Sequence, residues 1–251
     1  MQSDTDTGLP ASAEIAWGMR DRPTKGPKRG LSLARIVDAA IGIAAADGLA
    51  AVSMSRVAGD LGASTMSLYR YVSAKNELLA LMRDRAYGSP PQGVEGDWRR
   101  RLSGWAWAVL RAYRGHPWVL ELPITGLPSL PNELAWMEAG LAATADTGLT
   151  PSERASVLLL VSGYVRNVAQ QDVQVAAAFR AAGASPNEAM YSYANVLRQL
   201  ADPQRFPAIR EVVDSGVFDK ADDPDEEFVF GLERVLDGVQ ALIASRQPTA
   251  E

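Results

Sequence analysis

Two short helix signals with only Gly62 and Ala63 between the end of the first and the cap of the second constrain this chain most. Ser53 has the oxygen of an N-cap and is followed by Met54 to Leu61, a short run that Gly62 stops. After Ala63, Ser64 offers a second cap and opens a helix to Val72 with Leu68 and Val72 inward. Helices joined this tightly have no room to fold back antiparallel, so they cross at a steep angle. Val52 and Val57 are spaced as a hydrophobic staple around Ser53, and Met54, Ala58 and Leu61 face the core. Upstream, Ser32 caps a helix whose Leu33, Ile36, Val37, Ala40, Ile43 and Ala44 share one face, with Gly48 expected as its left-handed stop. Downstream, Ser73 is expected to cap a fourth helix carrying Leu78, Leu79, Met82 and Tyr87, which ends at Gly88, Pro90, Pro91 and Gly93.

Three helices of which the second and third are short and steeply crossed make a helix-turn-helix, whose second short helix enters a DNA major groove. With Leu68 and Val72 inward, Thr65, Met66, Ser67, Tyr69 and Arg70 point outward, and no carboxylate stands among them. The chain has 30 acidic residues and a net charge of −5, so a merely solvated helix would be expected to carry Asp or Glu. Their absence suits a surface that faces phosphates. Charge is also divided along the chain. Ala16 to Lys75 holds nine basic residues against four acidic, whereas Ser89 to Glu251 holds 14 against 21. A basic module on an acidic body is the charge pattern of a nucleic-acid binder with a separate regulatory domain. Residues 1–30 read as a flexible basic arm with a helical turn or two between Ala13 and Arg20. Arg20, Arg22, Lys25, Lys28 and Arg29 would there enter a minor groove, track phosphates or simply solubilise.

Beyond the fourth helix every pattern is helical, so the expected class is all-α. Asp97 opens a helix with Trp98, Leu102, Trp105, Val109 and Tyr113, and a Pro-rich stretch from Pro117 to Pro131 leads to a helix around Glu133 to Ala145. Three starts combine a cap oxygen, proline and glutamate: Thr150-Pro151-Ser152-Glu153, Ser185-Pro186-Asn187-Glu188 and Asp223-Pro224-Asp225-Glu226. The helix from Pro151 runs to about Arg180 and the last from Pro224 to about Ala244. With no cysteine and one histidine, thiol nucleophiles, thiolate metal sites and multi-histidine clusters are excluded. No Gly-rich phosphate loop, zinc motif or nucleophile elbow is present, and His116 before Pro117 reads as a helix end. No apolar run reaches membrane-span length and the first residues are acidic, which favours a cytoplasmic, non-enzymatic protein without metal or cofactor.

The stretch Leu33 to Leu79 resembles the DNA-binding region of the tetracycline-repressor (TetR) family. The resemblance rests on Ala39-Ala40, Gly48, Val52-Ser53-Met54, Val57-Ala58, Leu61-Gly62, Ser67-Leu68-Tyr69-Arg70-Tyr71-Val72 and Lys75-Asn76-Glu77-Leu78-Leu79. It implies a homodimeric repressor: a helix-turn-helix domain at 31–77, followed at 78–251 by a larger helical domain that binds a small molecule and dimerises through its last long helices. Placed on the family pattern, Tyr69 and Lys75 meet phosphates, Lys75 at a helix start that already favours an anion. Ser64 and Tyr71 join the DNA-binding set, Thr65, Met66 and Ser67 are expected to read base edges, and Arg70 reaches a guanine or a phosphate.

For the effector, the sequence points to a small apolar or aromatic molecule held by Trp105, Val109, Trp136, Met137 and Tyr164, with Asn167 or Gln171 giving one hydrogen bond. Such a ligand, wedged against the fourth helix, would release a pseudo-palindromic DNA operator. Arg166 interrupts the apolar face and finds no place in this scheme. The dimer seam is expected at Val161, Val165, Phe228, Leu232, Val235 and Leu236. The competing reading is an all-helical small-molecule-binding protein or enzyme with a non-functional basic N-terminus.

Overall fold

The computed structural model describes residues 8–19, 31–124, 126–219, 223 and 225–246. Near the N-terminus, three serines start three helices in the expected way. Ser32 Oγ accepts the Arg35 N–H at 3.3 Å to begin α2 (Leu33–Asp47), which follows a short α1 (Ala11–Ala16). Ser53 does the same for Arg56 at 3.2 Å in α3 (Met54–Asp60), and Ser64 for Ser67 at 3.2 Å in α4 (Thr65–Tyr69). Gly62, at φ +61°, lets the chain turn so that Ala63 N–H closes on Ala58 O at 2.9 Å, and α4 then leaves α3 abruptly. Ile36, Val57, Leu68, Val72 and Leu78 are fully buried where α2, α3, α4 and α5 (Lys75–Tyr87) meet.

Three local expectations are corrected. Gly48 has φ +83° but ψ 163°, outside the left-handed helical well, because the chain continues directly into a 3-10 turn at Leu49–Ala51. Tyr69 ends α4 because Tyr71 and Val72 both donate to Leu68 O, a tightening that stops the helix short of Val72. Ser73 is not the cap of α5. Ala74 stands there, and Glu77 reaches back instead, its carboxylate accepting the Ser73 N–H at 2.8 Å.

The body comprises α6 (Trp98–Gly115), α7 (Pro131–Ala142), α8 (Pro151–Ala182), α9 (Pro186–Leu200), α10 (Pro207–Asp214) and α11 (Glu226–Ala244), with a 3-10 turn at Pro117–Glu121. No strand occurs among the described residues. Thr150–Glu153 and Ser185–Glu188 form reciprocal capping boxes, the backbone N–H of each cap donating to the glutamate at 2.9 and 2.8 Å. The third expected box does not form. α11 begins at Glu226, and Asp223 spends its carboxylate on the Asp225 N–H at 2.9 Å, while Pro224 lies outside the described residues. α10 adds a helix that no cap signal announces, because Phe206 at its N-cap has no side-chain oxygen.

The long α8 is the spine against which α6, α7 and α11 pack. Small residues permit the closest approaches. A Cβ at Gly140 would collide with Leu158 and crowd the Trp105 ring, and one at Gly231 would collide with the Tyr164 hydroxyl. The buried apolar core is continuous from Ile36 to Ile243, and α5 packs on α2 as well as on α6 and α7. Within the segment expected as an arm, α1 is a packed element: Ala13 is buried, α1 lies on α5, and the Trp17 indole donates to Ser129 O at 2.9 Å. Arg20, Arg22, Lys25, Lys28 and Arg29 lie outside the described residues. Among the described residues no helix is long and apolar enough to cross a membrane.

Candidate nucleic-acid interface and interior cleft

On α4, Met66 is 75% exposed and Tyr69 43%, beside half-buried Thr65 and Ser67. Ser64 and Ser67 also pair their hydroxyls at 2.8 Å, which fixes the first turn. Arg70 is exposed just past the helix end. Tyr71 departs from the others: it is half-buried against the core and its hydroxyl donates to Leu31 O at 3.2 Å, so it braces the chain leading into α2. Lys75 is exposed as the first residue of α5, where Ala74 brings no side-chain oxygen to the first-turn N–H groups. A cation beside open amide donors at a helix start favours an external anion. Of the acids near this face, Asp47 pairs with Arg56 at 2.8 Å and Asp38 with Arg85 at 3.1 Å, while Glu77, in the first turn of α5 itself, turns its carboxylate to the Ser73 N–H at 2.8 Å.

The far end of α5 is gripped by α7 through polar contacts that sequence reasoning missed. α7 has Leu130 at its N-cap, which offers no oxygen. Asp84 of α5 supplies one, its Oδ1 accepting the N–H groups of Asn132 at 2.9 Å and Glu133 at 3.0 Å, while the Asn132 amide returns a bond to Asp84 O at 3.1 Å. Next to it, Arg83 and Glu133 form an ion pair at 2.6 Å with Glu133 almost wholly buried. Glu133 also accepts the N–H of Ser129 at 3.1 Å and of Leu130 at 3.3 Å. The signal available in the sequence was Leu130-Pro131-Asn132-Glu133, a helix start with its cap oxygen missing.

A cleft of about 220 Å³ opens beneath the linker after α5, lined by Pro91, Val94, Arg101, Trp105, Ala139 and Ala142 among others. Of the residues expected around an effector, Trp105 lines it. Trp136 stands behind, its ring edge-on to Trp105 at 6.2 Å. The Trp105 indole donates to Trp136 O at 2.9 Å, and the Trp136 indole donates to Gly88 O at 2.9 Å. Val109 is buried farther along α6, and Met137 is exposed. Tyr164, Asn167 and Gln171 are not brought to this cleft. The face of α8 turned inward carries Val157, Val161, Val165 and Ala169, which rotates Asn167 and Gln171 to the surface. Tyr164 donates to the carbonyls of Glu227 at 2.9 Å and Phe228 at 3.0 Å and stacks on the Phe228 ring, fastening α8 to α11.

The residues expected at a dimer seam are also relocated. Val161, Val165, Phe228, Leu232 and Leu236 are buried within this chain and Val235 half-buried, since their stripe is the one that joins α8 to α11. Leu159 (74% exposed), Leu160, Val229 and Phe230 (61%) lie on the outer sides of the same helices.

Comparison with known proteins bears on both regions. Residues 36–82 match the family described as bacterial regulatory proteins, tetR family, and residues 90–243 match the tetracyclin repressor-like C-terminal domain. The HTH-type transcriptional repressor DrrR1 of Streptomyces coeruleorubidus is 37% identical over 242 residues, covering 93% of this chain and 86% of that protein. An HTH-type transcriptional regulator of Saccharopolyspora erythraea is 30% identical over 65% of this chain and 69% of its own length. The crystal structure of apo ActR from Streptomyces coelicolor superposes with a TM-score of 0.74 at 26% identity, covering 88% of this chain and all of that one. ActR in complex with actinorhodin gives 0.71 at 26% identity, covering 86% and 99%.

Proposed function

This chain belongs to the TetR family of bacterial transcriptional regulators, and from that premise we propose that it is a homodimeric, ligand-responsive repressor that a small aromatic effector releases from a pseudo-palindromic operator. The observation that carries the reading is the exposed, carboxylate-free face of α4 beside the N-terminus of α5. Lys75 and Tyr69 contact phosphates and set affinity, whereas Thr65, Met66 and Ser67 meet base edges and set identity. Arg70 reaches a base or a phosphate at the rim. Ser64 shapes the recognition helix by capping it, and Tyr71 holds the helix-turn-helix to the chain at Leu31. The role is regulatory rather than enzymatic and belongs in the cytoplasm, where the operator is.

The effector binds next to the linker, in the cleft that Trp105 lines. From there its presence is felt at α5 along two routes: through Trp136, whose indole holds Gly88 O, and through α7, whose N-terminus is seated on Asp84. A ligand that prefers α7 shifted away from α5 selects a dimer whose two α4 helices no longer match successive major grooves, one helical turn or about 34–36 Å apart. A relative of known structure, ActR, has been crystallised with actinorhodin, which supports a small-molecule site in this domain. Dimerisation uses the apolar side chains left outside on α8 and α11, namely Leu159, Leu160, Val229 and Phe230.

Selection of bound DNA from a random-sequence pool tests the reading. It predicts recovery of a two-fold-related site. Recovery of sequences without internal symmetry, or no retention of DNA at all, would reject it in favour of a helical binding protein that does not read DNA.

A further inference from the structure

α1 is too short to be stable by itself. Helices under about 12–15 residues are marginal in water, and this one has six residues behind Pro10, an N-cap that bonds no N–H through its side chain. Contact and a closed end give it order instead. Ala13 is buried, Ile15 and Ala16 pack against the core, and α5 lies beneath. Gly18, at φ +69°, ends the helix: its N–H donates to Ile15 O at 3.1 Å and the Met19 N–H to Glu14 O at 2.8 Å, which satisfies two of the last carbonyls.

From that end the Trp17 indole donates to Ser129 O at 2.9 Å, just ahead of α7. The Ser129 N–H donates in turn to one oxygen of the Glu133 carboxylate at 3.1 Å, and the other oxygen accepts from Arg83 Nε of α5 at 2.7 Å. Since α1 itself lies on α5, these contacts close a ring through α1, the segment leading into α7, the first turn of α7 and α5. When α7 moves away from α5, α1 cannot follow both: either Trp17 lets go of Ser129 or α1 lifts off α5.

Resting on the reading of a ligand-responsive repressor, we propose that α1 is a clasp, with Trp17 as its positioning residue, that holds α5 and the start of α7 in the arrangement that binds the operator. The clasp touches neither DNA nor the cleft. It acts on the equilibrium between the two arrangements, because its contacts are complete in one and broken in the other. By linkage, whatever factor undocking of α1 takes from operator affinity, bound operator returns to the docking of α1.

The experiment uses the full-length protein, the operator recovered from the random-sequence pool, and three variants. Ala13→Asp and Ala13→Arg force α1 off α5 with opposite charges, and Trp17→Ala opens the ring at Ser129. Fluorescence anisotropy of labelled operator gives affinity, and hydrogen exchange gives local opening. Each variant that keeps the wild-type circular dichroism should bind operator about three-fold more weakly or worse and exchange the amides of Asn132 and Glu133 about three-fold faster or more. In the wild type, bound operator should slow exchange from Ala13 to Met19 by the same factor. Should the Ala13 variants fail to fold, Trp17→Ala, which changes a half-exposed side chain, decides alone. A folded variant within about three-fold of wild-type affinity, opposite shifts by the Asp and Arg variants, unchanged exchange at Asn132 and Glu133, or α1 exchange that ignores operator overturns the proposal. Operator binding by the wild type reports separately on the repressor reading: where wild type and variants bind equally, that reading stands and this one falls, and where the wild type retains no DNA, both fall.

Discussion

Asp84 caps a helix to which it does not belong: its Oδ1 accepts the backbone N–H of Asn132 at 2.9 Å from the neighbouring helix α5. The consequence is mechanical. α5 carries the DNA-binding module at its first residues, and through Asp84 its last turns are tied to the start of α7, which walls the cleft with Ala139 and Ala142.

Replacing Asp84 with alanine leaves two N–H donors of α7 without their acceptor. Removal of an N-cap costs about 1 kcal/mol and up to about 2. We expect Asp84→Ala to lower the unfolding free energy by that amount in urea titrations, with amide exchange at Asn132 and Glu133 accelerated more than at the middle of α8. Unchanged exchange at those two amides would show that the cap does not hold α7.

The same carboxyl gives a pH signature with a definite sign. Burial pushes Asp84 above the usual carboxylate range, outweighing the hydrogen bonds from Glu133 and Asn132 that pull it down. The folded chain therefore holds a proton at a pH where the unfolded chain has released it, and stability contributed by this group rises as pH falls through that interval. Asp84→Asn cannot titrate. The difference in unfolding free energy, wild type minus Asp84→Asn, should grow in favour of wild type from about pH 7 to about pH 4; a difference that shrinks on acidification would reverse the assignment.

Dimer contacts separate by exposure. Phe230→Glu places a charge on an exposed ring of α11 and should yield helical monomers with weakened operator binding, whereas Leu232→Glu buries a charge in the core and should unfold the chain. Sedimentation equilibrium with circular dichroism distinguishes these outcomes. A Phe230→Glu protein that remains dimeric would move the seam elsewhere.

Much of this could be read from the residues because local chemistry dictated it. Ser32, Ser53 and Ser64 start their helices by bonding the third N–H along, an interaction that needs no tertiary partner, and Gly62 supplies the turn that brings α4 across α3. The candidate DNA face followed from the same local rules. What escaped was decided between helices. Periodicity marks Val161 and Leu232 as apolar faces but does not say whether the partner is α11 of the same chain or a second subunit. It also does not fix the rotation of a 32-residue helix finely enough to know that Asn167 and Gln171 turn outward. The cap of α7 comes from a residue 46 positions before Leu130, so no local pattern contains it.

The central claim is that α4 and the start of α5 read DNA, and a salt titration of operator binding tests it most directly. Every phosphate that a side chain ceases to neutralise reduces the slope of log K against log salt by about 1, so Lys75→Ala in a two-fold dimer should flatten it by about 2 and weaken all sequences alike. Met66→Ala should leave the slope at its wild-type value while changing which bases are preferred. If Lys75→Ala keeps the wild-type slope and Met66→Ala keeps the wild-type base preference, this face is not the DNA interface.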